Sequence, residues 1–375
     1  MAGIYVHIPF CKSRCIYCGF YSTVQLNLCK PYINAVCKEM RMRKEYIKGE
    51  KFSTVYIGGG TPSTLNGEEL ETLFCNMFEV FDISDNAEIT MECNPNDIDV
   101  HFIKTLKRLP VNRISIGAQT FSDKRLRFIH RRHSAEEVYN AVKLLRSAGY
   151  NNLSIDLMFG FPGETLNEWL IDIDKALSLN VEHISAYSLM YEEGTCLYNM
   201  LENGEVKEID EELSLSMYNA LVSKLTTNGY EHYEISNFAR PGYRSRHNSS
   251  YWQQVRYVGL GAAAHSFDLK SRQWNISEIN KYISEINKGN VPMEREELDS
   301  DTIFNDIITT SLRTCEGIDL NYISNKLGED YKNNILENAD RYIKEGLVKI
   351  SNDHLKLTKD GIYVSDSIMS NLMIV

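Results

Sequence analysis

The sequence predicts an α/β protein built around a parallel sheet. Short β-rich runs alternate with longer amphipathic stretches over the first half. Three of those runs end in glycine, Asn-Pro or Pro-Gly punctuation, and a tight cysteine cluster follows the first one. In a barrel and in an open α/β sheet alike, such strand ends carry the chemistry.

The elements read in order. Strands are expected at 4–8, 54–57, 88–92, 113–117, 153–158 and 183–188. Helical periodicity fills the intervals at 31–48, 67–81, 99–109, 135–148 and 165–179. After residue 190 the rhythm changes. Residues 191–230 read as mostly helical and acidic, and 230–236 as a strand. An aromatic, glycine-rich stretch runs from 238 to 267, and the charged run 294–301 reads as a loop. Helical segments and a hairpin at 347–357, turning around Ser351-Asn352-Asp353, then suggest a small α+β, winged-helix-like module. Three parts follow: 1–190, an extension at 191–298, and the C-terminal module at 299–375.

Composition narrows the function. The 375 residues are 43% hydrophobic, enough for a sizeable core, and the net charge is −11. From Asp299 onward there are 13 acidic and 8 basic residues. Phosphate neutralisation drives nucleic-acid binding, so no nucleic-acid partner is expected. No run of about 18 apolar residues suggests a membrane span, and the N-terminus lacks a signal-peptide pattern. A cytoplasmic setting is expected, where clustered thiols serve metals or catalysis rather than disulfides.

The sharpest motif is Cys11-Lys12-Ser13-Arg14-Cys15-Ile16-Tyr17-Cys18. Three soft thiolate ligands at C-x3-C-x2-C spacing suit an iron–sulfur cluster or zinc. Three cysteines on a [4Fe–4S] cluster leave one iron open to a small molecule. Zinc, with His7 as a fourth ligand, is the competing reading, and a structural zinc-site module would be its function. The next strand end reads Gly58-Gly59-Gly60-Thr61-Pro62. Glycines there allow backbone to approach a ligand closely. No Gly-Lys-Ser/Thr follows, so a phosphate P-loop is excluded.

A later word, His247-Asn248-Ser249-Ser250-Tyr251-Trp252, follows Arg240, Arg244 and Arg246. Imidazole can ligate heme iron, and arginines can pair with propionates. On residue types alone, a packed aromatic loop with a satisfied histidine is the better reading. Gly259-x-Gly261 lacks the third glycine of a dinucleotide fingerprint. The other six cysteines show no metal-type pairing.

Tyr5-x-His7-x-Pro9-x-Cys11-x3-Cys15-x-Tyr17-Cys18 followed by the Gly58–Pro62 word resembles the radical S-adenosylmethionine (SAM) superfamily. More narrowly it resembles the coproporphyrinogen III dehydrogenase-like group with its heme-chaperone (HemW-like) branch, over nearly the whole chain. The resemblance implies a partial (β/α)6 barrel at 1–190. It implies that Cys11, Cys15 and Cys18 hold a [4Fe–4S] cluster and that SAM binds its open iron. Tyr5, Tyr17, Gly59, Gly60, Thr61 and Glu92 match SAM-contact positions, and Gln119, Arg131 and Asp156 match positions around a second SAM. Without the resemblance, Glu92 and Asp156 read as ordinary helix-capping carboxylates. His247, Asn248, Tyr251 and Trp252 match a word proposed in the chaperone branch to contact heme.

Two departures separate the branches. The dehydrogenases carry a further cysteine where this chain has Phe20, and a longer segment before the cluster motif, whereas here the first cysteine is residue 11. Both features, with the H-N-x-x-Y-W word, favour a cytoplasmic heme chaperone over an oxygen-independent coproporphyrinogen III oxidase. The implied partners are heme or a porphyrin, a recipient hemoprotein and a protein reductant for the cluster. A membrane-associated recipient and a homodimer are left open.

Overall fold

A computed structural model describes residues 2–374. Six strands lie side by side and parallel in chain order: β1 (Ala2–Ile8), β2 (Phe52–Gly59), β3 (Ile83–Cys93), β4 (Arg113–Gln119), β5 (Leu153–Phe159) and β6 (His183–Ser188). Each expected strand is present, longer by a few residues except at β6. Helices connect them, as parallel crossovers require. Three of these helices begin at a full capping box: Asn66 with Glu69, Ser134 with Glu137, and Thr165 with Glu168. Their apolar stripes, such as Leu70, Leu73, Phe74 and Met77, cover the outside of the sheet.

The six strands do not close on themselves. Beyond β6 the sheet continues through the hairpin β7 (Glu231–Glu234) and β8 (Asn237–Ala239), with β8 antiparallel to β6. Beyond β1 it continues through parallel β9 (Tyr257–Leu260), then antiparallel β10 (His265–Phe267), β11 (Ser271–Asn275) and β12 (Met293–Glu297). The result is a twelve-stranded sheet whose six central strands, half of the whole, form the partial (β/α)6 barrel.

β12 corrects one expectation. The charge pattern of 294–301 predicts a loop, yet residues 293–297 pair with β11 throughout. All five are exposed, so no alternation marks the strand. Charge on an edge strand discourages pairing with another chain.

The barrel strands alternate sharply. Ile114 and Ile116, like Ile155 and Leu157, face the helices and are fully buried in the main core. The opposite parity faces inward and is polar: Tyr56, Glu92, Arg113, Ser115, Asp156 and Ser185. Period-two alternation thus gives the sheet an oily outside and a wet inside.

The C-terminal segment has its own apolar cluster from Phe304 to Leu372. Its three-stranded sheet runs in the order β13 (Ile318–Asp319), β15 (His354–Leu357), β14 (Val348–Ser351). The expected hairpin turns through Asn352 and Asp353, both at positive φ (53° and 60°). That is the primed two-residue turn whose twist matches the strands. Among the described residues no helix is long and apolar enough to cross a membrane.

Candidate cofactor site in the barrel

A cavity of about 430 Å³ occupies the C-terminal mouth and upper interior of the barrel. Its wall includes Cys11, Cys15, Cys18, Tyr17, Gly59, Gly60, Thr61, Glu92, Gln119, Arg131 and Asp156, nearly the whole expected set.

The cysteine loop leaves β1 and is pinned on both flanks. The Cys11 amide donates to Thr23 O (2.9 Å), and the Leu197 amide donates to Ile16 O (2.8 Å). Thr61 Oγ1 lies 3.5 Å from Cys11 Sγ. Arg131 donates from Nη1 toward Cys15 Sγ (3.8 Å) and from Nη2 to Gly117 O (2.5 Å). The guanidinium thus places a fixed positive charge beside the Cys15 sulfur. Burial first, and neighbouring thiols after it, push the Cys11 and Cys18 thiols up.

The glycine word has a steric cause. A Cβ on Gly60 would stand 2.9 Å from Ile8 O and from Phe10 O, which are backbone atoms. Gly59, at φ +109°, packs on the His7 ring. Gly58 faces the Glu92 carboxylate, which a Cβ would meet at 3.0 Å. The strand end can therefore lie flat against the cavity.

Glu92 and Asp156 are the cavity's carboxylates from the strands. Tyr56 donates to Glu92 Oε1 (2.7 Å) and the Gly59 amide donates to Oε2 (3.1 Å). Burial outweighs both bonds and pushes Glu92 up to about 7. Burial also raises Asp156, whose carboxylate accepts from Ser115 Oγ (3.3 Å). Gln119 sits at a β-bulge with φ +65°, which swings it into the cavity beside Gly117.

The zinc reading does not fit. Among the described residues no three His, Cys, Asp or Glu side chains converge on one ion position. His7 is engaged elsewhere: Nδ1 meets Tyr5 OH (3.0 Å) and Nε2 meets Tyr21 O (3.0 Å). A [4Fe–4S] cluster with one open iron asks for three thiolates, one on each of its other irons and spread over several ångströms. Three thiols along one cavity wall, with Arg131 beside them, meet that demand.

Two expected groups lie elsewhere. Tyr5 does not line the cavity; its ring stacks behind Tyr56 at 6.2 Å. The helix Arg246–Trp252 plugs the barrel floor. His247 is fully buried, with Nδ1 bonded to Thr54 Oγ1 (2.8 Å) and Nε2 to Tyr251 OH (2.8 Å). Its amide and that of Arg246 donate to the Glu88 carboxylate. Both ring nitrogens are thus taken, and iron ligation by His247 requires this floor to open. Trp252 lies under Arg313 (5.1 Å) of the C-terminal segment. Of the word's four expected contacts only Asn248 reaches the cavity.

Arg113, Tyr56, Ser115 and Ser185 also line the cavity and were not anticipated. Arg113 is 1% exposed, and its Nε is buried without a hydrogen-bond partner. Its charge also helps hold the buried His183 and His247 neutral, after burial itself. The signal for these residues was the polar parity of β4, Arg113-x-Ser115-x-Gly117-x-Gln119.

Residues 5–176 match the model of the radical SAM superfamily, and residues 298–364 match the HemN C-terminal domain. A heme chaperone HemW of Bacillus subtilis is 34% identical over 96% of both chains. A heme chaperone HemW of Lactococcus lactis is 32% identical over 99% of this chain and 97% of its own. The radical SAM enzyme coproporphyrinogen III oxidase (HemN) of Escherichia coli superposes with a TM-score of 0.86, at 22% identity, over 99% of this chain and 90% of that one.

Proposed function

The chain belongs to the heme chaperone HemW family within the radical SAM superfamily, and from that premise we propose that it binds heme and delivers it to a recipient hemoprotein. A [4Fe–4S] cluster and SAM are the cofactors of this reading. The observation that carries it is the single cavity uniting three cysteines, the glycine–threonine turn and two buried carboxylates.

In this reading Cys11, Cys15 and Cys18 hold the cluster, with Arg131 steadying the sulfur charge. Gly59, Gly60 and Thr61 present backbone and hydroxyl to the amino end of SAM, and Glu92 accepts from its ammonium. Tyr17, Gln119 and Asp156 complete the wall. When bound, the cluster supplies one electron at low potential to the sulfonium. This chain's residues orient the ligand and keep water out. A protein reductant, cytoplasmic operation and the three-part division at 190 and 298 belong to the same proposal. So does the reading of Phe20 against the oxidase, because a phenyl ring cannot replace a thiol there.

The test uses anaerobically reconstituted full chain with dithionite and SAM. It is titrated with heme and, separately, incubated with coproporphyrinogen III. Stoichiometric heme uptake without porphyrinogen turnover is expected. Protoporphyrinogen formation coupled to 5′-deoxyadenosine would make the oxidase the correct function.

A further inference from the structure

His247 is sealed into the barrel floor, so a heme needs another surface. The cavity mouth offers one. Phe20 is 71% exposed, Met190 61% and Tyr187 41%, and all three line the same cavity as the cysteines. Phe20 comes from the cysteine loop, Tyr187 from the end of β6 and Met190 from the segment just after it. These two segments abut, since a Cβ on Gly19 would run into the Glu192 carboxylate at 1.8 Å. Tyr17 and Tyr191 join them below, on one small apolar cluster. Large apolar side chains gathered at a cavity rim mark a binding surface rather than chance exposure.

Charge around the rim is selective. Lys12 and Arg132 both pair with Asp97, at 2.8 and 3.2 Å. Arg14 lines the same mouth, is exposed, and has no carboxylate partner among the described residues. It is available to a ligand carboxylate. Glu192 is the carboxylate on the opposite segment, and it repels one.

We propose that heme docks across this rim, its face on Phe20, Tyr187 and Met190 and its propionates toward Arg14. The inference rests on the heme-chaperone reading. A flat apolar macrocycle with acidic side chains matches aromatic rings, a polarisable thioether and one unpaired guanidinium. The bound heme then caps the cavity, so the occupancy of the site beneath it and heme release are mechanically linked.

Heme titration by Soret absorbance, with the reconstituted full chain, tests this. The double variant Phe20→Ser/Met190→Ser is expected to lose about tenfold or more in affinity, from the apolar area it gives up. Arg14→Glu is expected to lose severalfold. Thermal melts of each variant report folding. Hydrogen exchange gives an independent readout: heme should protect amides at 17–20 and 187–193. Unchanged affinity in folded variants, or protection confined to other segments, would overturn the rim. So would sedimentation showing that the same substitutions instead break a heme-free dimer. Wild-type protein that takes up no heme would overturn the chaperone reading itself, a distinguishable failure.

Discussion

Tyr56 donates its hydroxyl proton to Glu92 inside the barrel, 2.7 Å away, on a carboxyl that burial has lifted to about 7. The bond partly offsets the burial, so Glu92 switches charge near neutrality. Below pH 7 the protonated carboxyl no longer attracts an ammonium group. SAM affinity is therefore expected to fall by up to tenfold for each pH step below 7. Calorimetric titrations from pH 8 to 5.5 check this. Tyr56→Phe removes a bond to the charged form and should move the midpoint upward. Glu92→Gln should flatten the profile. A wild-type profile flat to pH 5.5 would remove Glu92 from ammonium recognition.

The cysteine loop makes a sharper prediction. Cys11, Cys15 and Cys18 line one wall, whereas Cys75, Cys196 and Cys315 are exposed elsewhere. Replacing any one of the first three by serine should lower bound iron and acid-labile sulfide severalfold after reconstitution. Replacing Cys75 by serine should change neither. Arg131→Met keeps the bulk but loses the cation beside Cys15, and should make the cluster more labile to oxygen rather than abolish it.

Gly60→Ala is predicted to damage the site from the backbone outward. The new Cβ would meet Ile8 O and Phe10 O at 2.9 Å, and neither can swing aside. The Gly60 amide also donates to Ile8 O (2.8 Å), tying β2 to the start of the cysteine loop. A loss of about 1–3 kcal/mol is expected. Chemical denaturation measures it, and SAM affinity should fall alongside. Gly49→Ala is the contrast: its φ of +77° is also strained, but nothing stands within 4 Å of the Cβ. It should cost less and leave SAM affinity alone.

The sequence disclosed most of this site because cofactor chemistry sits at strand ends, where short words stand out. Cys11–Cys18, Gly58–Pro62 and Glu92 are such words. The interior was harder to read. Arg113, Ser115, Ser154 and His183 are ordinary strand residues until the barrel curves their face inward. His247 went the other way. Its chemistry alone favoured a satisfied core histidine, and the structure shows one, bonded to Thr54 from a strand far away in sequence. The edge strand at 293–297 was hidden because full exposure erases alternation. Its partner β11 could not be inferred locally.

His247 ends the chain of consequences. Burial, with Arg113 nearby, pushes it down to about 3, burial pushes His133 down to about 3, and His183 lies well below its ordinary value. These three stay neutral in the fold, while in the unfolded chain they take up protons near pH 6.5. Their stabilising contribution is complete above about 6.5 and drains away as pH falls toward 3. Glu92 and Glu164, both lifted to about 7, act oppositely. They bind protons in the fold first, which favours the fold between about 7 and 4.5. Among these five groups, three protons taken by the unfolded chain against two by the fold leave a shallow net loss over that range. Below about 4.5 the unfolded carboxyls protonate too, and the loss steepens. Urea titrations from pH 8 to 4 should show this bend. His247→Ala strands Thr54 and Tyr251 and opens a cavity, at a cost on the order of 2–4 kcal/mol near neutrality, and it should shallow the acid slope by about one proton. A variant that stays as stable as wild type, with the slope unchanged, would mean that the barrel floor is not held by this histidine.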